Sequence, residues 1–366
     1  MRKHQWLLVL VAVSGLVLAA CGGGGGGGGG GTKQLIVGIS WNNYAQPRWA
    51  KADGPAIRKA VTDAGGKVIE TNANDSSEQQ LTDIDNLIAQ KAQVLIVLAK
   101  DTKAILPAVA KAKQQGIPVI GYDRLIEDTS ALYLSFNNQL VGTIMAQQIT
   151  KVVPSGNYAI VKGHSADPNA DFLRSGMTPV LNQNPGVKVV CEDYNDNWDT
   201  SNARKMMDAC LAAHNNKIDA VISENDSMAT GVVAALSAVG LAGKVPVTGQ
   251  DGDTPALNRV ALGTQLVSVW KDAFALGETA GYAAVQLAQG KALKDLKAPS
   301  DLKDHVRPDS LSTAQFKTPG GNNVWSIILK PSPITKDNLN IVVDLGWETK
   351  AAVCANVPPG KVNACG

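Results

Sequence analysis

Apolar and polar positions along this chain switch repeatedly between two periods. Residues 94–98, Val-Leu-Ile-Val-Leu, form a continuous apolar run. Its length and β-branched content predict a strand buried on both faces. Ile105, Val109, Ala112 and Lys113 then fall three and four apart, the spacing of one helix face, and Gly116 closes that helix as a C-terminal cap. Residues 117–122 return to a buried-strand pattern. A strand, a crossover helix and a second strand make a βαβ unit, which builds a parallel sheet. Asp123 and Arg124 follow the second strand directly. Ligands of open parallel α/β sheets bind beyond the carboxyl ends of the strands, so this pair sits where such a fold places its site.

The same alternation predicts further strands at 35–40, 67–71 and 131–135. It predicts helices at 54–64 and 80–90, the latter with Ser76 or Ser77 as its N-cap, and a long one at 139–152. At Pro154-Ser155-Gly156 the pattern restarts. Strands are expected at 158–161, 187–191, 220–223, 245–248 and 265–269. Between them the polar stretches 163–176 and 224–231 read as loops, the first followed by a helix ending at 181 and the second by one at 232–239, with another helix at 201–213. After Lys271 an alanine-rich helix runs to about residue 289; beyond it proline and glycine punctuate the chain, and residues 324–329 read as one more strand. Two α/β systems in tandem without a long linker predict two similar lobes.

Composition adds limits. The chain has 366 residues, 45% hydrophobic and 18% charged, which describes a globular protein with room for two domains. Of 34 basic residues against 32 acidic ones, Arg2 and Lys3 lie in the leader, so the remainder is balanced. That balance excludes the basic footprint of a nucleic-acid binder. Residues 1–20, with Arg2-Lys3, an apolar stretch and small residues before Cys21, read as a secretion signal. Leu18-Ala19-Ala20-Cys21 resembles a bacterial lipobox, which makes Cys21 a lipidated first residue and residues 21–33 a glycine-rich tether to the membrane. The glycine run is not a phosphate loop, because it follows no strand and no lysine stands at the required spacing.

The other four cysteines, Cys191, Cys210, Cys354 and Cys365, allow three pairings in an oxidising compartment. Pro358-Pro359-Gly360 lies between Cys354 and Cys365 and favours joining those two, which leaves Cys191 for Cys210. The four histidines show no metal spacing, and neither metal nor cofactor is expected.

The strand ends carry the chemistry. The first lobe supplies Arg48, Trp49, Asp123 and Arg124; the second supplies Asn169, Arg174, Trp198, Asn225, Asp226, Asp251 and Lys271. Forked planar groups suit neighbouring hydroxyls, which both donate and accept. A tryptophan offers a flat apolar face to the C–H side of a pyranose. Both tryptophans stand in polar loops, where a core role would be unusual.

The segments RWAKA, VLIVLA, IPVIGYDRLI, LSFNNQLVG, NNKIDAVISENDSMATG and VTGQDGDTPAL through VSVWK resemble the periplasmic sugar-binding proteins of ABC importers, the D-xylose and multi-sugar binders among them. The resemblance runs from about residue 35 to 289. It implies an α/β fold of two Rossmann-like lobes with parallel sheets joined by a three-segment hinge, the type I periplasmic-binding-protein fold. The expected lobes are residues 34–137 with 272–310, and 138–271 with 320–366. The hinge is expected near Asn137-Asn138, near Trp270-Lys271 and within 308–319, with the lobes swinging together on binding. Ligand contacts are implied for Arg48, Trp49, Arg124, Asn169, Arg174, Trp198, Asn225, Asp251 and Lys271. The implied ligand is a monosaccharide, D-xylose first and glucose or another aldose next. The implied partners are the permease subunits of an ABC transporter, met by a monomer held on the outer face of the membrane. Two departures bear on the sugar: Asp171 stands where the xylose binder has a lysine, and the loop 40–46 differs at Trp41, Asn42 and Tyr44.

Other functions fit less well. A sugar hydrolase using two of Asp123, Asp226 and Asp251 would need a discernible acid–base pair, and each carboxylate instead has an Arg or Asn neighbour. A sugar-responsive regulator would need an N-terminal helix-turn-helix where the secretion signal stands. A sensor presenting sugar to a chemoreceptor or histidine kinase remains the alternative to an importer.

Overall fold

Seven strands make the first sheet, in the spatial order 314–317, 323–329, 131–136, 119–122, 94–97, 36–41 and 67–72. The computed structural model describes residues 34–366; the expected secretion signal, Cys21 and most of the glycine-rich tether lie outside the described residues. In chain order the first half consists of β1 (Ile36–Trp41), α1 (Gly54–Asp63), β2 (Lys67–Asn72), α2 (Ser77–Ala89), β3 (Val94–Val97), α3 (Leu106–Gln114), β4 (Val119–Tyr122) and β5 (Ala131–Phe136). All pairings among β1 to β5 are parallel, with Leu95 opposite Val119 between β3 and β4. Ser76 caps α2 by accepting from the Gln79 amide at 3.1 Å.

The second system follows with α4 (Asn138–Val152), β6 (Ser155–Lys162), α5 (Pro168–Asn182), β7 (Gly186–Tyr194), α6 (Thr200–Ala213), β8 (Ala220–Ser223), α7 (Asp226–Ala238), β9 (Thr248–Gln250), α8 (Thr254–Leu262) and β10 (Val267–Trp270). Its strands lie in the orders β7-β6-β8 and β9-β10-β13, linked by a parallel bridge between Val221 and Val247. Then α9 (Ala273–Ala288) returns to pack on α1, and β11 (Ala314–Lys317) and β12 (Asn323–Leu329) extend the first sheet. β13 (Ser332–Ile334) pairs with β10, and two short helices, α10 (Asn340–Asp344) and α11 (Lys350–Val353), follow.

The central strands of each sheet are buried on two sides, which is why they read as apolar runs rather than alternations. Ile39, Ile96 and Ile120 meet Ile57 and Leu276 on one face of the first sheet, while Leu95 and Val119 meet Ile84, Leu87 and Val109 on the other. In the second system Ile160 and Ile222 pack with Val141, Leu173 and Met177, and Val221 packs with Met207, Val232 and Leu236. Helices α4 and α5 approach closely through Gly142 and Gly176. A Cβ on either glycine would stand 1.9 Å from a backbone oxygen of the other helix, Leu173 O or Gln139 O. No side chain fits there without parting the helices.

The chain passes between the two systems three times. Asn137 is the N-cap of α4, and Asp272 caps α9 just after β10. The third passage differs from the expectation. β12 pairs with β5, Ser326 opposite Tyr133, so residues 320–329 belong to the first sheet and the crossing lies at Lys330-Pro331, not within 308–319. Both disulfides form as expected: Cys191–Cys210 with Cα atoms 6.2 Å apart and Cys354–Cys365 with 5.5 Å, within the span a bridge allows.

Candidate functional site

The carboxyl ends of the parallel strands face one another across a cleft, and their loops meet in it. After β1 the chain makes a single π-helical turn, Trp49–Asp53, before α1 begins, a device frequent at functional sites. Arg48 and Trp49 stand at its start. Asp123 and Arg124 follow β4, Asp167 and Asn169 open α5 after β6, and Trp198 follows β7. Asn225 caps α7 after β8, Gln250 ends β9 with Asp251 beside it, and Lys271 follows β10. With Gln46 these twelve side chains line a cleft with a cavity volume of about 30 Å³. That is about one water's share of liquid volume and far below small-molecule pocket size, so a ligand enters only when these side chains part.

Charge in the pocket is matched internally. The Arg48 fork holds Asp53 through Nε (3.1 Å) and Nη2 (2.9 Å), while Nη1 lies 3.3 Å from Asp251 Oδ1 and 3.6 Å from Asp123 Oδ2. Burial acts against the Arg48 charge, but these three carboxylates outweigh it and push its pKa well above the ordinary value. For Asp123, burial would raise the carboxyl, yet Arg48, Lys271 and Arg124 hold it below the usual range. Across the cleft Arg124 Nε binds Asp167 Oδ2 at 2.8 Å, and Trp198 Nε1 donates to the same oxygen at 3.2 Å. Burial raises the Asp167 pKa, partly offset by Arg124.

Neutral contacts also bridge the two systems. Asn225 Nδ2 donates to Gln46 Oε1 at 3.0 Å, and Asn169 Nδ2 donates to Asp123 O at 3.1 Å. Three buried polar atoms of lining residues lack a partner: Trp49 Nε1, Asp123 Oδ1 and Gln250 Oε1. Such groups are costly to bury unless something meets them, and here they offer one donor and two acceptors.

Eight of the nine residues expected to touch a ligand line this pocket: Arg48, Trp49, Arg124, Asn169, Trp198, Asn225, Asp251 and Lys271. Arg174 does not. It lies in α5, which starts at Pro168 and not beyond residue 176 as expected, and its guanidinium binds Glu192 (2.8 and 3.2 Å) on the surface. Five residues turn a helix by about 140° from Asn169, so the two cannot point the same way. The helix after β8 likewise begins earlier than expected, at Asp226. Asp226 is framework: its carboxylate accepts from the Gly252 and Asp253 amides, from Ser268 Oγ and from Gln265 Nε2. Gln46, Asp123, Asp167 and Gln250 were missing from the expected contacts. Asp123 was visible as a strand-end residue, and Asp167 as the cap before Pro168.

Of the two departures from the sugar-binding pattern, Asp171 lies away from the pocket, and the loop 40–46 enters it only through Gln46, not through Trp41, Asn42 or Tyr44. Asp171 is exposed and accepts from Tyr194 OH at 2.6 Å. Trp41 is buried with its Nε1 on Glu70, and Tyr44 is 44% exposed. Among the described residues one group of potential metal ligands occurs, Cys191, Cys210 and His214, and its two sulfurs are bonded to each other.

A polar cleft between two parallel-sheet systems, crossed three times by the chain, is the arrangement of a small-molecule binding protein. A family model described as a periplasmic binding protein domain matches residues 37–292, and the chain belongs to that family; it is a binding protein, not an enzyme. It is 38% identical to the D-xylose-binding periplasmic protein of Escherichia coli (strain K12) over 277 residues, 74% of this chain and 84% of that one. It is 32% identical to the D-xylose-binding periplasmic protein of Haemophilus influenzae over 327 residues, 88% and 93% of the two chains. The fold is similar to that of an ABC transporter solute binding protein from Clostridium phytofermentans with bound β-D-glucose. The TM-score is 0.74 at 27% identity, over 87% of this chain and 99% of that one.

Proposed function

We propose that the protein is the extracytoplasmic, lipid-anchored binding protein of an ABC importer, taking a monosaccharide pyranose and delivering it to the permease. D-xylose is the first ligand to expect and glucose or another aldose the next, since relatives at 38% and 32% identity are named for D-xylose and a structural neighbour holds glucose. The observation that carries this reading is the pocket's pairing of two tryptophans with forked groups whose charges already cancel. Together with the partnerless Trp49 Nε1, Asp123 Oδ1 and Gln250 Oε1, this suits hydroxyls and not a charged ligand. Trp49 and Trp198 cover the ring, while Arg48, Arg124, Asn169, Asn225, Asp251 and Lys271 take its hydroxyls. Calorimetric titration with pentoses, hexoses and sugar acids tests it. Binding of a sugar acid with no aldose bound would overturn the assignment.

The anchor is a separate expectation. Two acyl chains hold a protein on a membrane where one does so weakly. Cys21→Ala should therefore move the protein from the membrane to the soluble fraction, and full retention in the membrane would refute the anchor.

Closure should depend on pH through the cleft rim. Lys100 of the first system hydrogen-bonds Asn197 of the second and lies 3.2 Å from His164 Nε2. Burial first, then Lys100 and Arg124, hold the His164 pKa below its ordinary value, against the pull of Asp167 and Asp196. A histidine whose pKa is lowered in the closed form favours closure above its ordinary pKa and opposes it as pH falls. Sugar affinity is expected to decline below about pH 6.5. His164→Gln should flatten that decline; an unchanged profile would exclude the rim histidine as its cause.

A further inference from the structure

We infer that the C-terminal segment, which lies beyond the matched family region, positions Asp251 through Trp347; this rests on the reading of the cleft as a sugar site. Asp251 and Gly252 have φ values of 100° and 76°, two consecutive residues in the positive-φ region. A non-glycine residue there persists only where its surroundings over-determine it. From inside, the Asp226 carboxylate accepts from the Gly252 and Asp253 amides at 3.0 Å each, and the Asp251 amide donates to Val269 O at 3.0 Å. From outside, Trp347 Nε1 donates to Gly252 O at 2.7 Å. The Trp347 ring is fixed in turn by Trp270 and Phe274, each with its centroid 5.5 Å away.

The neighbouring residue ties the same turn to the other side of the cleft. Glu348 Oε2 accepts from Thr254 Oγ1 at 2.7 Å, and Oε1 accepts from Lys51 Nζ at 2.8 Å. Lys51 belongs to the π-helical turn next to Arg48, whose Nη1 lies 3.3 Å from Asp251. One dipeptide thus braces the turns that carry both members of the Arg48–Asp251 pair. The segment itself is clamped onto α8. Asn258 Nδ2 donates to Val353 O (2.9 Å) and Ala355 O (2.8 Å), Lys361 Nζ donates to Leu262 O (2.7 Å), and Val342, Val353 and Val362 are buried against Leu257 and Val260. Trp347 is therefore a positioning residue. Without its N–H the Gly252 carbonyl is free to turn, and the strained peptide relaxes in a way that swings the Asp251 carboxylate from Arg48.

Trp347→Phe keeps an aromatic side chain, though a smaller one, and removes the donor. Its amide exchange and its D-xylose affinity should be compared with wild type, with Asp251→Asn and with the double variant. Glu348→Gln serves as a second, milder probe. Exchange at the Gly252 and Asp253 amides should rise about tenfold, with the Val353 and Cys354 amides unchanged, and xylose should bind about tenfold more weakly. In the Asp251→Asn background the change at Trp347 should cost nothing further. Unchanged exchange at Gly252 and Asp253, or the same loss of affinity with and without Asp251, would overturn the inference. Should wild type bind no sugar while exchange still rises in Trp347→Phe, the bracing of the turn stands and the sugar reading of the cleft falls.

Discussion

Asp251→Ala is expected to weaken monosaccharide binding by roughly 10²–10⁴-fold, the loss of two charge-assisted hydrogen bonds at about 1.5–3 kcal/mol each. A carboxylate accepts from two adjacent hydroxyls at once, and its removal leaves both without a partner in a dry pocket. The fold should survive. Arg48 keeps Asp53 at 2.9 Å and Asp123 at 3.6 Å, so no buried cation is left alone. The backbone at position 251, φ 100°, is equally strained for alanine, which keeps the Cβ, and the amides that hold the next two residues are untouched. Calorimetry and a thermal melt read the two properties separately. Unaltered affinity would remove Asp251 from the site; a collapsed melt would make it a structural residue.

Much of this geometry was legible in the chain because burial on both sheet faces leaves an unambiguous mark. The strand 220–223 of the second half was placed to the residue, and the two strands of the βαβ unit at 94–122 in the first half to within two. The errors have a common origin. The polar stretches GHSADPNADFLRSG and ENDSMATG read as loops, yet their caps Asp167 and Asn225 start helices inside them. Arg174 read as a loop residue is free to reach a ligand; on α5 it faces solvent. β12 shows the limit of local pattern. Its apolar run identifies a strand, but nothing local says that its partner is β5, almost two hundred residues earlier, and so the third crossing was misplaced. The brace from Trp347 to Gly252 was invisible for the same reason.

Arg124→Ala is expected to produce a loss as large as that at Asp251 but with a shallower decline as pH falls. Arg124 is buried, bound to Ala99 O at 2.9 Å and to Asp167 at 2.8 Å across the cleft. Removing one partner of a buried ion pair costs roughly 3–5 kcal/mol, because the other charge stays out of water. Here that cost falls on closure, since in an open cleft Asp167 regains solvent; affinity should drop by about 10²–10⁴-fold while the unliganded melt moves little. Burial already raises the Asp167 pKa, and Arg124 is the largest influence lowering it, so its loss sends the closed-form value higher still. A carboxyl whose pKa is raised by closing favours the closed form at low pH and opposes it as pH rises through that value. Between pH 7 and pH 5 the variant should therefore lose less affinity than wild type, because Asp167 gains from protonation and Arg124 no longer depresses the His164 pKa. Calorimetric titrations at the two pH values decide the matter: a variant that tracks wild type would show that Asp167 does not depend on Arg124 for its charge.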